Sequence, residues 1–326
     1  MFRLFLDFRR QNYYIFFILA NIFAYFLHFF VVFRKNVHKN LFNFEKSITF
    51  AANLHKPTLT MKIYYRKIFV ILFLLCFLTG MGICAIGLVY YKFGFISNPL
   101  NCKQIGQLPP PPGYTRVKCD DESFGAYLRQ LPLKRRGSRV HLYKSDKLAR
   151  FQGCNYAVVD MPLLSNYEQC ADVCMRLRAE YLYSSGQYQQ IRFQALDGSI
   201  LQYKGGNDRE AFERFMRRVY GICNTTSMCQ SMPSRPLGEV QIGDVFVYSS
   251  RSQGVYGHAV MVVDVAQNVL GKKVFLVVEG NTPAREMHVL RNPYRWFMSA
   301  WYTLNADGEM QVVSPFRFYK NELRHW

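Results

Sequence analysis

The sequence predicts an α+β domain in which a long helix is followed by a small antiparallel sheet, preceded by an N-terminal transmembrane anchor. The helix is predicted over residues 166–183, where apolar side chains recur every three or four positions. Four strand-like runs follow it along the chain, at residues 244–248, 258–265, 273–279 and 287–290. Helices that precede a series of antiparallel strands are typical of the α+β class.

The anchor, or an uncleaved signal, is predicted within residues 61–91, because residues 68–91 are 24 positions without a charged side chain. At about 1.5 Å per residue, such a helix crosses a hydrocarbon core of about 30 Å. Lys62, Arg66 and Lys67 precede the run, and this bias predicts that the chain after residue 92 lies outside the cytoplasm. The expected location is the cell membrane, with the C-terminal domain facing the periplasm or exterior.

Residues 1–60 leave two interpretations open. They contain a second uncharged apolar run, residues 13–33, which has the composition of another membrane helix. Met61, however, is followed by a Lys-rich stretch and an apolar run, as at the start of an exported protein. The first 60 residues are therefore either an extra apolar segment or an over-extended translation start.

The rest of the chain is predicted to consist of a Pro-rich stalk, residues 92–113, and one exported domain, residues 114–326. The stalk contains four consecutive prolines at 109–112, whose fixed backbone angles favour an extended spacer. Residues 96–326 carry 29 basic and 20 acidic side chains, a net charge of +9 that favours an anionic partner. No nucleic-acid-binding motif is recognisable, so we expect no nucleic acid as partner.

Cysteine spacing indicates thiol chemistry more than metal binding. The exported part has seven cysteines: Cys102, Cys119, Cys154, Cys170, Cys174, Cys223 and Cys229. An odd number leaves at least one thiol unpaired, and Cys102 with Cys119, or Cys223 with Cys229, are possible disulfides. No zinc-like spacing of Cys and His is present, so we expect neither a metal nor a cofactor.

Cys170 and His258 are the candidates for catalysis. Cys170 lies in the first turns of the predicted helix, where the helix terminus and a nearby imidazole lower the pKa of a thiol from about 8.5 into the neutral range. The alternative is packing, since Cys170, Cys174 and Leu177 follow one helical stripe. His258 opens a predicted strand after Gly257, at a loop-lined edge where an imidazole can act as a base.

Residues 241–267, QIGDVFVYSSRSQGVYGHAVMVVDVAQ, resemble the NlpC-type cell-wall peptidases and their amidase relatives. In those proteins a Gly-Asp strand, a loop and a His-led apolar strand recur in this order. The resemblance implies a papain-like fold, with Cys170 as nucleophile, His258 as base and Glu279 as the group that orients the imidazole. Asn281 competes with Glu279 for the last role, and Gln169 is a candidate for binding an oxyanion.

Four further stretches resemble an uncharacterised family of exported bacterial domains, a domain of unknown function: SFGAYLRQLPLK, VHLYKSDK, EQCADVCMRLRAEYLY and GHAVMVVD. This resemblance covers residues 114–326 and implies no activity of its own. Together the two resemblances predict a membrane-anchored, exported thiol hydrolase that cleaves an amide or ester bond, with cell-wall peptide or another envelope acyl group as substrate. The alternative is a non-catalytic envelope-binding module with a groove lined by Tyr167, Tyr256 or Trp301.

Overall fold

The computed structural model describes residues 96–150, 152–250, 256–293, 300–305, 310–313 and 315–326, and residues 71, 72, 74, 75 and 78–82. The chain divides into two units, residues 1–88 and residues 89–326. In the first unit the described residues are helical. The second unit contains the elements that follow.

Four α-helices lie in the described part of the second unit: α1 (Phe124–Arg129), α2 (Cys170–Ser184), α3 (Arg209–Ile222) and α4 (Thr225–Ser231). The same part contains the strands β1 (Tyr114–Arg116), β2 (Asn155–Val158), β3 (Arg192–Gln194), β4 (Ile200–Gln202), β5 (Val245–Tyr248), β6 (His258–Asn268), β7 (Lys273–Glu279), β8 (His288–Leu290), β9 (Tyr302–Thr303), β10 (Met310–Val313), β11 (Phe316–Tyr319) and β12 (Leu323–Arg324).

An eight-stranded antiparallel sheet forms the centre of this unit. Its strand order is β12-β5-β6-β7-β8-β2, with β1 added to β6 and β9 added to β7. Two further hairpins, β3 with β4 and β10 with β11, stand apart from the sheet. Because β6 and β7 are antiparallel neighbours, the start of β6 and the end of β7 lie at the same end of the two strands.

The prediction of a papain-like, NlpC-type helix followed by a small antiparallel sheet is wrong. The sheet has eight strands, and β1 and β2 precede α2 in the chain, so the fold is a mixed α/β structure with a large antiparallel sheet. The sequence did not indicate β1 and β12 because they have only three and two residues, too few to show an alternating pattern.

The predicted transmembrane anchor, residues 68–91, falls largely on positions outside the described residues. Among the residues that are described, none of the helices is both long enough and apolar enough to cross a membrane. Part of the predicted stalk packs against the rest of its unit: Ile105 and Leu108 are buried there, and the Pro109 carbonyl accepts a hydrogen bond from the Trp301 indole at 2.7 Å.

Hydrophobic side chains cover both faces of the sheet. Along β6, Met261 and Val263 pack in one cluster with the helices, whereas Val260 and Val262 belong to a second cluster on the other face. A strand that is buried on both faces reads as a continuous apolar run, which is why the sequence indicated β6 so clearly.

A buried ion-pair group joins β1, α1 and β6. Asp264, which is fully buried at a bulge in β6, accepts hydrogen bonds from Arg116 at 2.7 Å and Arg129 at 2.8 Å. The backbone N–H of Val265 donates to the same carboxylate. This carboxylate therefore fixes the N-terminal elements against the central strand.

We predict that Asp264→Ala lowers the free energy of unfolding by about 3 kcal/mol or more, because it leaves two largely buried guanidinium groups without their partner. Asp264→Asn should lose less, since the amide oxygen still accepts one of these hydrogen bonds. Urea unfolding of the three proteins measures the difference. A loss below about 1 kcal/mol in the alanine variant would mean that the pairs behave like exposed ion pairs.

Candidate functional site

Cys170 is the first residue of α2. The helix begins four residues later than the sequence predicted, because its cap is formed by Gln169, whose backbone N–H donates to the Asp172 carboxylate at 2.9 Å. Glu168, the residue before this cap, is instead buried and paired with Arg176. Cys170 therefore lies at the positive end of the helix dipole.

Cys170 is 8% exposed, whereas Cys174, one turn further along, is fully enclosed. Burial raises the pKa of Cys174 well above its usual range, and the nearby Cys170 and Asp172 charges raise it further. Burial also raises the pKa of Cys154 to about 12, with a further contribution from Glu279, and that of Cys223 to about 11. These three thiols are kept neutral and unreactive at neutral pH.

His258 is the first residue of β6, opposite Tyr248 of β5, and is 4% exposed. The ring of Phe316, at the start of β11, stacks on the imidazole with the centroids 3.5 Å apart and the planes inclined by 20°. Gly257 precedes it in a space without room for a side chain, since a Cβ there would lie 2.1 Å from the Thr225 hydroxyl oxygen. The ring is therefore fixed from two sides.

Glu279, the last residue of β7, binds His258 through a contact of 2.9 Å between Oε2 and Nε2. The register pairs Met261 with Val278, which puts Glu279 beside Val260 and on the same face as His258. The sheet thus brings the predicted base and the predicted orienting group into contact. Since Nε2 is bound to Glu279, Nδ1 is the ring nitrogen left for the thiol.

Cys170 lies close enough to the His258 ring for the two groups to interact electrostatically. Burial disfavours the imidazolium, but the Cys170 thiolate, its hydrogen bond and the Glu279 carboxylate outweigh this effect and raise the pKa of His258 to about 9. Burial likewise opposes the charge of Glu279, yet hydrogen bonds from His258 and His288 hold the pKa of this carboxyl well below its usual range. His258 therefore favours the imidazolium form at neutral pH, beside an ionised Glu279.

His288 is a site residue that the sequence analysis missed. It lies opposite Glu279 on β8, is 4% exposed, and its Nε2 is 3.3 Å from Glu279 Oε1. Its Nδ1 faces the Glu286 carbonyl at 3.0 Å. Both ring nitrogens of His288 therefore face a hydrogen-bond acceptor, one a carboxylate oxygen and the other a backbone carbonyl. The sequence offered no motif here, although residue 288 falls within a predicted strand.

The segment after Glu279 packs the end of β7 against the start of α2. A Cβ on Gly280 would lie 2.5 Å from Val173 Cγ2 and 3.1 Å from the Gln169 carbonyl oxygen. The Thr282 hydroxyl donates to Gln169 Oε1 at 2.7 Å. The Gln169 amide nitrogen is thereby left to donate elsewhere, as an oxyanion-binding group requires.

The remaining candidates are placed as follows. Asn281 lies 3.5 Å from Glu279 Oε1 and so supports Glu279 rather than replacing it. Tyr167 and Tyr256 are exposed, but Trp301 is buried and cannot line a groove. The cysteines proposed for disulfides are free thiols. The described residues contain no cluster of His, Cys, Asp and Glu that could hold a metal ion.

Comparison with known proteins places the chain in a family without an assigned activity. Residues 106–205 and 202–325 match the model of DUF4846, described as a domain of unknown function, and together the matches span 220 of the 326 residues. No curated protein and no solved structure matches the chain. The expected family of unknown function is thus confirmed, while similarity to the NlpC-type peptidases stays a prediction.

We predict that the His258 ring loses its proton near pH 9 in the wild-type protein and at lower pH in Cys170→Ala. Removing the Cys170 sulfur takes away the largest contribution that raises the pKa of His258, whereas burial still lowers it, so the pKa falls. Ring-nitrogen NMR shifts measure both titrations. Cys174→Ala is the control and should leave the midpoint in place, and an unchanged midpoint in Cys170→Ala would mean that the two groups are not coupled.

A second prediction concerns Gly280→Ala, which should displace the start of α2 from the end of β7. The added methyl group overlaps Val173 and the backbone of Gln169, so we expect a stability loss of about 1–3 kcal/mol and alkylation of Cys170 slower on the order of tenfold. Gly238→Ala is a matched control because a Cβ there meets no atom within 4 Å. Equal alkylation rates in both variants would contradict this role of Gly280.

Proposed function

The chain belongs to the DUF4846 family, and we propose that this member is a thiol hydrolase that cleaves an amide or ester bond by acyl transfer. Cys170 is the nucleophile, His258 is the general base and acid, and Glu279 orients the imidazole. One observation carries the proposal: a thiol at a helix start interacts electrostatically with a buried imidazole, which in turn contacts a buried carboxylate at 2.9 Å. These are the parts that nucleophilic catalysis by cysteine requires.

In the first step, the Cys170 thiolate attacks the substrate carbonyl carbon. A sulfur–carbon bond forms, and the carbonyl electron pair moves to the oxygen, where the Gln169 amide is a candidate donor. The tetrahedral intermediate collapses, the bond to the leaving nitrogen or oxygen breaks, and the His258 imidazolium gives the leaving group its proton. The product is a thioester on Cys170 and a neutral imidazole.

In the second step, water hydrolyses the thioester. His258 removes a proton from the water as its oxygen attacks the acyl carbon, and the sulfur leaves as a thiolate with the electron pair. The imidazolium is restored beside it. Glu279 does not change its protonation state in either step; it fixes the ring orientation and stabilises the imidazolium.

The substrate that we propose is peptide of the cell envelope. The likeness of residues 241–267 to NlpC-type peptidases supports this choice, and so does the expected export of the C-terminal domain. Lipid or protein acyl groups suit the same chemistry, so the cleaved bond is an amide or an ester. Location in the envelope stays part of the proposal.

A second candidate function is a non-catalytic module that binds an envelope polymer. It is favoured by two exposed aromatic side chains next to the site: Tyr167, 62% exposed, precedes Cys170 by three residues, and Tyr256, 70% exposed, precedes His258 by two. Exposed aromatic rings are common in carbohydrate and peptide recognition. In the catalytic interpretation the same rings contact the substrate.

The test is selective alkylation together with turnover. At pH 7 we expect iodoacetamide to modify Cys170 at least a hundredfold faster than Cys174 in the full chain, because Cys170 is partly accessible beside an imidazole whereas burial raises the pKa of Cys174 well above its usual range. The modification should be lost in His258→Ala. Mass spectrometry of the digested protein gives the rate at each cysteine.

The matching activity assay uses envelope peptide fragments and a set of simple amides and esters. Cys170→Ser should abolish turnover while leaving the melting temperature nearly unchanged, since serine is of similar size and far less acidic. Cys229→Ser, on α4, is the control and should keep the activity. Equal and negligible alkylation of Cys170 and Cys174 would end the hydrolase proposal and leave the binding module.

A further inference from the structure

A strongly basic segment, residues 134–150, borders the site. It contains seven Lys and Arg residues and one Asp, a net charge of +6 out of the +9 carried by residues 96–326. The basic residues are Lys134, Arg135, Arg136, Arg139, Lys144, Lys147 and Arg150. Apart from Lys134, they are exposed. Two thirds of the excess charge is thus concentrated in 17 consecutive positions.

Backbone hydrogen bonds hold this segment against the loop that follows Glu279. The Tyr143 N–H donates to the Ala284 carbonyl at 3.0 Å, and the Glu286 N–H donates to the His141 carbonyl at 3.0 Å. The same loop begins with Gly280 and Thr282, which contact Gln169 next to the nucleophile. Lys144 therefore follows Tyr143 directly, and Tyr143 is hydrogen-bonded to Ala284, two residues after Thr282.

Two acidic groups close to the loop are already engaged. Glu286 binds Lys134 at 2.6 Å and His141 at 3.2 Å. Glu279 is enclosed between His258 and His288. Residues 134–139 and 141 also surround a cavity of about 380 Å³. The side of the site next to this segment thus presents a positive field to an approaching molecule.

Arg285 adds a positive charge closer to the nucleophile. Its guanidinium donates to the carbonyls of Thr282 at 3.0 Å and Pro283 at 3.3 Å, which holds it on the loop itself. Its charge interacts with that of Glu279. The positive field therefore extends from the exposed basic segment to the edge of the site.

We infer that the substrate of this site carries negative charge beside the bond that is cleaved and is an acidic peptide. The inference rests on the proposed hydrolase function and adds the substrate class to it. Exposed charges near a cleft raise the local concentration of molecules of opposite sign, and salt weakens the effect. The substrate needs an amide or ester bond for Cys170 to attack and anionic groups that residues 134–150 attract. A peptide with carboxylate side chains has both.

The experiment compares two alkylating agents of different charge on the full chain. The Cys170 sulfur attacks the methylene carbon of each agent, a sulfur–carbon bond forms, and iodide leaves with the electron pair. Iodoacetate is anionic and iodoacetamide is neutral. In Lys144→Glu we expect the ratio of iodoacetate to iodoacetamide rates at Cys170 to fall about threefold at low salt, and the fall to shrink at 0.5 M salt.

Lys272→Glu is the matched control, since it makes the same charge change at an exposed turn at the other end of β6 and β7 from His258 and Glu279. Its ratio should equal that of the wild type. Equal ratios in Lys144→Glu and Lys272→Glu, with Cys170 still reactive, would overturn the anionic-substrate inference and leave the hydrolase proposal standing. A Cys170 inert to both agents would overturn both.

Protection of Cys170 distinguishes the kind of anion. A triglutamate peptide should slow alkylation by iodoacetamide more than a triglutamine peptide does, and this preference should weaken in Lys144→Glu. Protection by vesicles of anionic phospholipid, with none by triglutamate, would replace the acidic peptide by a lipid surface and so overturn the inference.

Discussion

The site depends on a single buried carboxylate and the two imidazoles that enclose it. Glu279 is almost without solvent contact, and an ionised carboxylate in such a place costs several kcal/mol unless positive partners compensate it. His258 on β6 and His288 on β8 provide this compensation from the two strands that flank β7. Each oxygen of the carboxylate has one of the rings, so neither ring can turn without exposing a charge to the interior. The register of these three strands therefore determines how His258, Glu279 and His288 face one another.

The helix that carries Cys170 is held to this sheet by close contact more than by charge. Gly280 allows the backbone after β7 to pack against the first turn of α2. Gly257 allows the backbone before β6 to pack against the start of α4. A side chain at Gly280 would push α2 away from the end of β7, and one at Gly257 would push α4 away from the start of β6. The first glycine therefore fixes the position of the helix that carries Cys170, and the second fixes the strand start that carries His258.

The longer strands of the sheet, and the positions of His258 and Glu279 at strand ends, could be predicted from sequence, because long strands leave regular patterns. The strand at 273–279 has the predicted limits, and His258 opens its strand as expected. The helix start was misplaced, because Ser165 with Glu168 offers as good a capping box as Gln169 with Asp172 until the burial of Glu168 is known.

Other features were beyond the reach of sequence patterns. Glu180 is buried between Arg176 and Arg209, and a charged residue in a helix gives no sign in the sequence of its partner elsewhere in the chain. His288 and Phe316 carry no motif. His288 joins the site through the pairing of β8 with β7, and Phe316 joins it through stacking on His258 from a hairpin outside the sheet.

The stacking of Phe316 on His258 has a consequence for how the protein is made. The residues of the site leave the ribosome in the order Cys170, His258, Glu279 and Phe316, and the last of them emerges 146 residues after the first. A thiol at the start of α2 has no base beside it until β6 is synthesised, and the imidazole has no covering ring until β11 is complete. The Cys170 thiol therefore stays without its imidazole neighbour on the nascent chain until β6 has been made, and the surroundings of the pair are completed only after β11 has been made.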